Sequence, residues 1–204
     1  MMDEFRIPDK IGDPLVAWRA WRISMQAVDG KPELLLHSIN QKQGDNPFAW
    51  HPRKIMVGIC NKAEPDHLAS ETPFESCGCG IHALDSPLFL AKAGYVSFIG
   101  PNREEFIWGR ISMWGKVIEG TTGIKSQYAY PKHFYIRPDL NLTYSTDKER
   151  VELDVWILRD ILTQQWGIPT TVAKTLKRKD SKSNEVLIKE MEEPETGGDE
   201  DGNR

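Results

Sequence analysis

The stretch FIWGRISMWGKVIEGTTGIKSQYAYP, residues 106–131, decides how the rest of the chain is read. One parity of its first half holds Ile107, Gly109, Ile111, Met113, Gly115 and Val117, and the other holds Trp108, Arg110, Ser112, Trp114, Lys116 and Ile118. Side chains alternate across a strand, so this pattern makes one apolar face and one amphipathic face. Gly120-Thr121-Thr122-Gly123 then supplies a hairpin turn. Ile124, Ser126, Tyr128 and Tyr130 share a parity on the return strand, which Pro131, having no N–H for the ladder, is expected to end.

Working outward, residues 16–25 place Trp18, Trp21 and Ile23 in one short run before the turn signal Asp29-Gly30 and the apolar run from Glu33 to Ile39. Gly30 and Pro32 close the run too soon for a helix, so a second hairpin is expected. Residues 40–50 read as a loop, Ile55 to Ile59 as a short strand, Ile81 to Ala83 as extended chain, and Tyr95 to Ile99 as a further strand. Ser86-Pro87 starts a short helix that Gly94 ends. The clearest helical pattern comes late: Thr146 and Glu149 form a capping box, Val151, Val155, Leu158, Leu162 and Trp166 recur at helical spacing, and Gly167 with Pro169 stops the run. Trp156, Ile157 and Ile161 widen its apolar stripe, which suggests burial on more than one side or a partner contact. The fold class that follows is α+β: a mainly antiparallel β-sheet of about six strands, a zinc-stapled loop, and one long C-terminal helix over 147–166.

All three cysteines stand between residues 60 and 79, as Cys60, Cys77 and Cys79, with His67 among them. An odd number of thiols clustered with an imidazole is poor material for disulfides and good material for a metal. Zinc favours thiolate and imidazole donors in a tetrahedron, and its structural sites take four protein ligands. Cys60, His67, Cys77 and Cys79 are therefore the expected metal ligands, with zinc the expected cofactor and His82 a rival for the fourth position. Gly, Ser and Glu surround the thiols, which speaks against their being ordinary core residues. Gly78 and Gly80 would let the chain turn tightly around Cys79. The H-x-E and P-C-x-x-C pattern of zinc deaminases, the P-loop, the H-E-x-x-H helix and the G-x-S-x-G elbow are all missing. No catalytic residue is assigned.

The whole chain has a formal net charge of −4 and a mean hydropathy of −0.49. Residues 180–204 carry nine acids against three bases, so the body is close to neutral and exerts little pull on phosphate backbones. A nucleic-acid partner is thus not favoured. No long apolar run suggests a membrane span, and acids at Asp3 and Glu4 argue against a secretory leader, so a cytoplasmic protein is expected. The expected organisation is an extended arm over 1–15, a single zinc-binding domain over 16–170, and a linker with an acidic disordered tail over 171–204.

Trp18-Arg19-Ala20-Trp21-Arg22, Trp50-His51-Pro52, Cys60, His67, the run Cys77-Gly78-Cys79-Gly80-Ile81-His82-Ala83, Trp114-Gly115-Lys116-Val117-Ile118-Glu119 and Tyr128-Ala129-Tyr130-Pro131 occur in that order. Together they resemble an uncharacterised family from actinobacteria and their phages, whose members read C-x-C-G-I-Y-A, W-G-x-V-x-E and A-E-Y-A-Y-P at these places. His82 stands where that family has tyrosine, and Gln127 replaces an acid. The resemblance spans Trp18 to Trp166 and implies the same metal set, a shared fold and a bacterial or phage source. The expected function is a zinc-stabilised, non-enzymatic binding or regulatory protein acting through protein–protein contacts. Its expected binding surface is Trp108, Arg110, Trp114, Tyr128 and Tyr130, since aromatic and arginine side chains dominate interaction hot spots. The alternatives are a zinc-dependent enzyme on a small substrate and single-stranded nucleic-acid binding by stacking on the same aromatic face.

Overall fold

The structure, a computed structural model, describes residues 13–28, 31–39, 49–60, 62, 64–92, 106–145 and 150–173. In chain order its elements are β1 (Leu15–Val28), β2 (Lys31–Ser38), β3 (Met56–Val57), β4 (Ile81–Leu84), α1 (Pro87–Lys92), β5 (Phe106–Glu119), β6 (Gly123–Ile136), β7 (Leu142–Ser145), β8 (Arg150–Leu153), α2 (Val155–Trp166) and β9 (Thr170–Val172). Seven strands join one sheet, and β7 pairs with β8 in a separate two-stranded sheet. Pairing is antiparallel except between β6 and β9. The described residues thus contain nine strands where about six were expected, the extra ones, β7, β8 and β9, being pairings of three or four residues that leave no periodicity to read.

The β5–β6 hairpin is the spine of the sheet, and it forms where the alternation predicts it. The strand pairings also close a circuit. Trp18 of β1 lies opposite Arg110 of β5 and is bridged to Leu84 of β4, while Leu84 lies opposite Gly123 of β6. Strands β1, β5, β6 and β4 therefore enclose the apolar parity of β5, and Ile107, Ile111 and Met113 are fully buried there. Trp21 meets Trp50 and Phe134 edge-on, each with ring centroids 5.6 Å apart, and Phe134 meets Trp166 in the same way. Four large aromatic side chains, interlocked in the edge-to-face geometry their quadrupoles prefer, fill the centre.

Three expectations are corrected. Pro131 does not end β6, because the ladder shifts register there: Arg110 pairs with His133 and Ile111 with Pro131, so the strand bulges and carries a residue without an N–H. The late helix is also shorter than expected. Val151 lies in β8, and α2 begins only at Val155, where the Asp154 carboxylate accepts from the N–H groups of Trp156 at 2.8 Å and Ile157 at 3.0 Å. A carboxylate that satisfies two orphan donors at a helix N-terminus fixes the start more strongly than a distant hydrophobic does. Replacing Asp154 with alanine is expected to cost about 1 kcal/mol in urea unfolding. Finally, the ordered sheet runs past residue 170, since β9 pairs with β6 and the N–H of buried Ala173 donates to the Ile136 carbonyl at 2.9 Å.

Helix α2 packs where its stripe predicts, burying Val155, Leu158, Leu162 and Trp166. Its last carbonyls do not go unpaired. The Arg53 guanidinium donates to the carbonyls of Gln164 and Gln165, and the Tyr130 hydroxyl donates to that of Trp166 at 2.7 Å. The turn at 29–30, the loop at 40–48, the strand at 95–99 with Gly94, the capping box of Thr146 and Glu149, residues 1–12 and residues 174–204 lie outside the described residues.

Candidate metal centre

Both ends of the cysteine segment stand on β6. Upstream, the N–H of Gly58 donates to the Gln127 carbonyl at 2.7 Å, and downstream Ile81 pairs with Ser126. A Cβ on Gly58 would lie 2.9 Å from both the Gly80 Cα and the Ser126 carbonyl oxygen, so glycine is needed for the two ends to pass this closely. Gly80 itself has φ of +96°. Gly78 has no such constraint, because a Cβ there would meet nothing within 4 Å.

Between these ends the chain folds over itself and brings four donors together. The sulfurs of Cys60 and Cys77 are 3.8 Å apart, and the Cys79 sulfur lies 3.5 Å from His67 Nε2. All four donor atoms, one each from Cys60, His67, Cys77 and Cys79, fall within 4.8 Å of one another, and no disulfide joins them. His67, Cys77 and Cys79 are buried, whereas Cys60 is half-buried at the rim. The four could hold a metal ion.

The surroundings hold the donors in a ligating state. His67 Nδ1 lies 3.0 Å from the Leu68 carbonyl, which places the ring proton there and turns the Nε2 lone pair toward the sulfurs. The Phe74 ring stacks on the imidazole at a centroid distance of 4.8 Å, and the Phe74 N–H donates to the Cys79 sulfur at 3.3 Å. The Lys125 ammonium, reaching across from β6, donates to the carbonyls of Phe74, Glu75 and Cys77 at 2.7, 3.0 and 2.8 Å. Lys116 donates to the Glu71 carbonyl at 2.9 Å and sits over the Phe74 ring. Two cations thus fasten the loop that carries the four donors.

Charge and hydrogen bonding split the thiols. The His67 side chain brings the Cys77 thiol down to about 6, while burial and the neighbouring Cys77 and Cys79 push Cys60 up against the opposing pull of the Lys62 N–H. The Leu68 carbonyl, with the Cys77 thiol, raises His67. A depressed thiol is ionised above its folded-state value and protonates as pH falls through it. The metal-free protein is therefore expected to gain a first thiolate, read by ultraviolet absorbance, with a midpoint near pH 6, and Cys77→Ser should abolish that step. Replacing Lys125 with methionine removes three charge-assisted hydrogen bonds and is expected to weaken metal affinity by about ten- to a hundredfold, as loss of an outer-shell support does.

No family model, curated protein or solved structure matches this chain. The site therefore has to be read from its own geometry. His82, the rival ligand, is exposed and its Nε2 lies 3.0 Å from the Gly78 carbonyl, outside the four-donor group.

Of the five residues expected to form a binding surface, Trp108 is buried and Arg110, Trp114, Tyr128 and Tyr130 are half-buried. Trp108 is 1 % exposed, in a second apolar cluster with Trp18, Ala20, Leu90 and Ala173 on the far side of the sheet. Alternation made its face look amphipathic, but α1 and the end of β9 supply a second layer that covers it. Tyr130 is tied to α2 and also accepts from the Arg53 N–H at 3.3 Å. Arg110 is half-buried opposite His133, and Trp114 and Tyr128, directly opposite one another, keep their rings 6.2 Å apart in a half-buried pair. Among the described residues, Leu15 and Val16 of β1 and Leu88 of α1 also reach solvent, but the most exposed large apolar groups on a regular element are Trp156, 56 % exposed, and Ile157, 45 % exposed, with the Arg159 guanidinium 5.2 Å from the Trp156 ring. Lys125 carried no sequence signal, because its partners lie about fifty residues away. Among the described residues no helix is long and apolar enough to cross a membrane.

Proposed function

We propose that this chain is a zinc-stapled, non-enzymatic binding protein of bacterial or phage origin, acting through contacts with another protein. The observation that carries the zinc assignment is a pair of distances. Tetrahedral zinc with bonds of about 2.3 Å to sulfur and about 2.0–2.1 Å to nitrogen sets ligand separations of about 3.8 Å for S···S and about 3.6 Å for S···N. The Cys60–Cys77 and Cys79–His67 separations are 3.8 and 3.5 Å. With all four donor atoms within 4.8 Å of one another, a single ion is within reach of each, whereas an iron–sulfur cluster spreads its ligands over several metal atoms. Three thiolates and a neutral imidazole leave such a site with one net negative charge. Four protein donors complete the tetrahedron, the arrangement of a structural rather than a hydrolytic zinc.

The resemblance to the actinobacterial and phage family supports the same ligand set. The contact surface is the outer side of α2, where a tryptophan, an isoleucine and an arginine lie within one turn; Trp and Arg are enriched in interaction hot spots. Elemental analysis of the purified protein should find one zinc per chain, lost in Cys79→Ser. A protein purified with no metal, and taking up none on refolding with zinc, would remove the staple. For the contact, a Trp156→Ala, Ile157→Ala chain should keep its melting temperature and lose partners that the unaltered chain retains from a bacterial or phage-infected extract; unchanged capture would place the contact elsewhere.

A further inference from the structure

Resting on the zinc assignment above, we propose that the staple is also a peroxide-reactive modification site, with Cys60 the sulfur oxidised first and Cys77 its resolving partner. The four donors are not equally protected. His67, Cys77 and Cys79 are buried, and Cys60 is the one that reaches the surface, in the extended segment after β3 beside the exposed Ile59. Thiolates held by a metal are already deprotonated, so they need no base to become nucleophiles, and access decides which of them a small oxidant reaches. The Cys60 sulfur lies 3.8 Å from that of Cys77, and a disulfide between them needs the two to close to about 2.05 Å.

The step balances with a hydroperoxide as oxidant. The Cys60 thiolate attacks one oxygen of hydrogen peroxide, the O–O bond breaks, hydroxide leaves, and Cys60 becomes the sulfenic acid. The Cys77 thiolate then attacks the Cys60 sulfur and expels a second hydroxide, giving the Cys60–Cys77 disulfide. Two thiolates lose two electrons in total, and one peroxide is reduced to two hydroxides. His67 and Cys79 are then the only donors left, too few to retain the ion. The loop keeps its Lys125 hydrogen bonds to Phe74, Glu75 and Cys77 but loses the link that joins the His67 turn to the end of β3. A dithiol reductant and fresh zinc restore the starting state.

The test uses the full chain loaded with zinc, exposed to hydrogen peroxide in the presence of a zinc-binding dye. Release of one zinc per peroxide consumed is expected, with peptide mass spectrometry finding Cys60 linked to Cys77 and dithiothreitol reversing the change. Cys60→His keeps a four-donor set while removing the sulfur that reacts with peroxide, and should load zinc yet release it at least about tenfold more slowly at the same peroxide concentration. Zinc that stays bound, a Cys77–Cys79 link, or release from Cys60→His at the original rate would overturn the inference while leaving the staple intact. Should Cys60→His fail to load, the linkage found in the unaltered chain decides. A chain that holds no zinc at the outset would instead overturn the zinc assignment itself.

Discussion

Stripping zinc from the Cys60, His67, Cys77 and Cys79 site with a strong chelator is expected to lower the melting temperature by about 8–16 °C while leaving most of the sheet folded. A ligand at about a thousand times its Kd stabilises the state that binds it by about 4 kcal/mol, and in a chain of this size each kcal/mol moves Tm by about 2–4 °C. The effect should be local in origin. None of the four donors belongs to the main apolar cluster, which draws on β1, β2, β4, β5, β6, β7, β8 and α2 around Trp21, Phe134 and Trp166. Hydrogen exchange should therefore rise across residues 60–80, where the metal closes the loop, and stay slow in β5 and β6. Cys79→Ser should reproduce both changes without a chelator. Equal melting temperatures with and without metal would show that the loop is held by Lys125 and Lys116 alone.

The second large effect is expected at the other end of the sheet. Trp21 is 0 % exposed and meets Trp50 and Phe134 edge-on, so truncation to alanine leaves a cavity that the surrounding strands cannot close. Urea denaturation should report a loss of about 3–5 kcal/mol. The same loss is expected in zinc-loaded and zinc-free protein, because the cluster and the metal loop share no ligand. Trp21→Phe should cost far less, since it keeps most of the buried area and removes an indole N–H that has no hydrogen-bond partner. A Trp21→Ala loss under about 1 kcal/mol would mean that the aromatic centre is not what holds the sheet.

What the sequence made legible follows from how far each signal reaches along the chain. The alternation across residues 106–130 is local, and the hairpin it predicts is the spine of the sheet. The four candidate metal donors were legible because all three cysteines fall in one segment with His67 among them. Pro131 misled because a bulge depends on the partner strand, and the partner's register is not written in the proline's neighbourhood. The helix start was misplaced for a similar reason: Val151 continues the apolar spacing of α2, but the strand pairing of β8 claims it and Asp154 caps what remains. Trp108 misled most. A tryptophan alternating with Arg110 and Ser112 looks like a surface residue until a second layer, drawn from α1 and the end of β9, is laid over it. Lys125 is the clearest case of a group that only the fold reveals, an ordinary lysine in a β-strand that reaches three carbonyls of the metal loop.

Zinc-edge X-ray absorption on the purified protein tests the central claim most directly. Three sulfurs at about 2.3 Å and one nitrogen at about 2.0–2.1 Å are expected, with the nitrogen shell lost in His67→Ala. A first shell dominated by oxygen, or one unchanged by His67→Ala, would contradict the four-ligand staple.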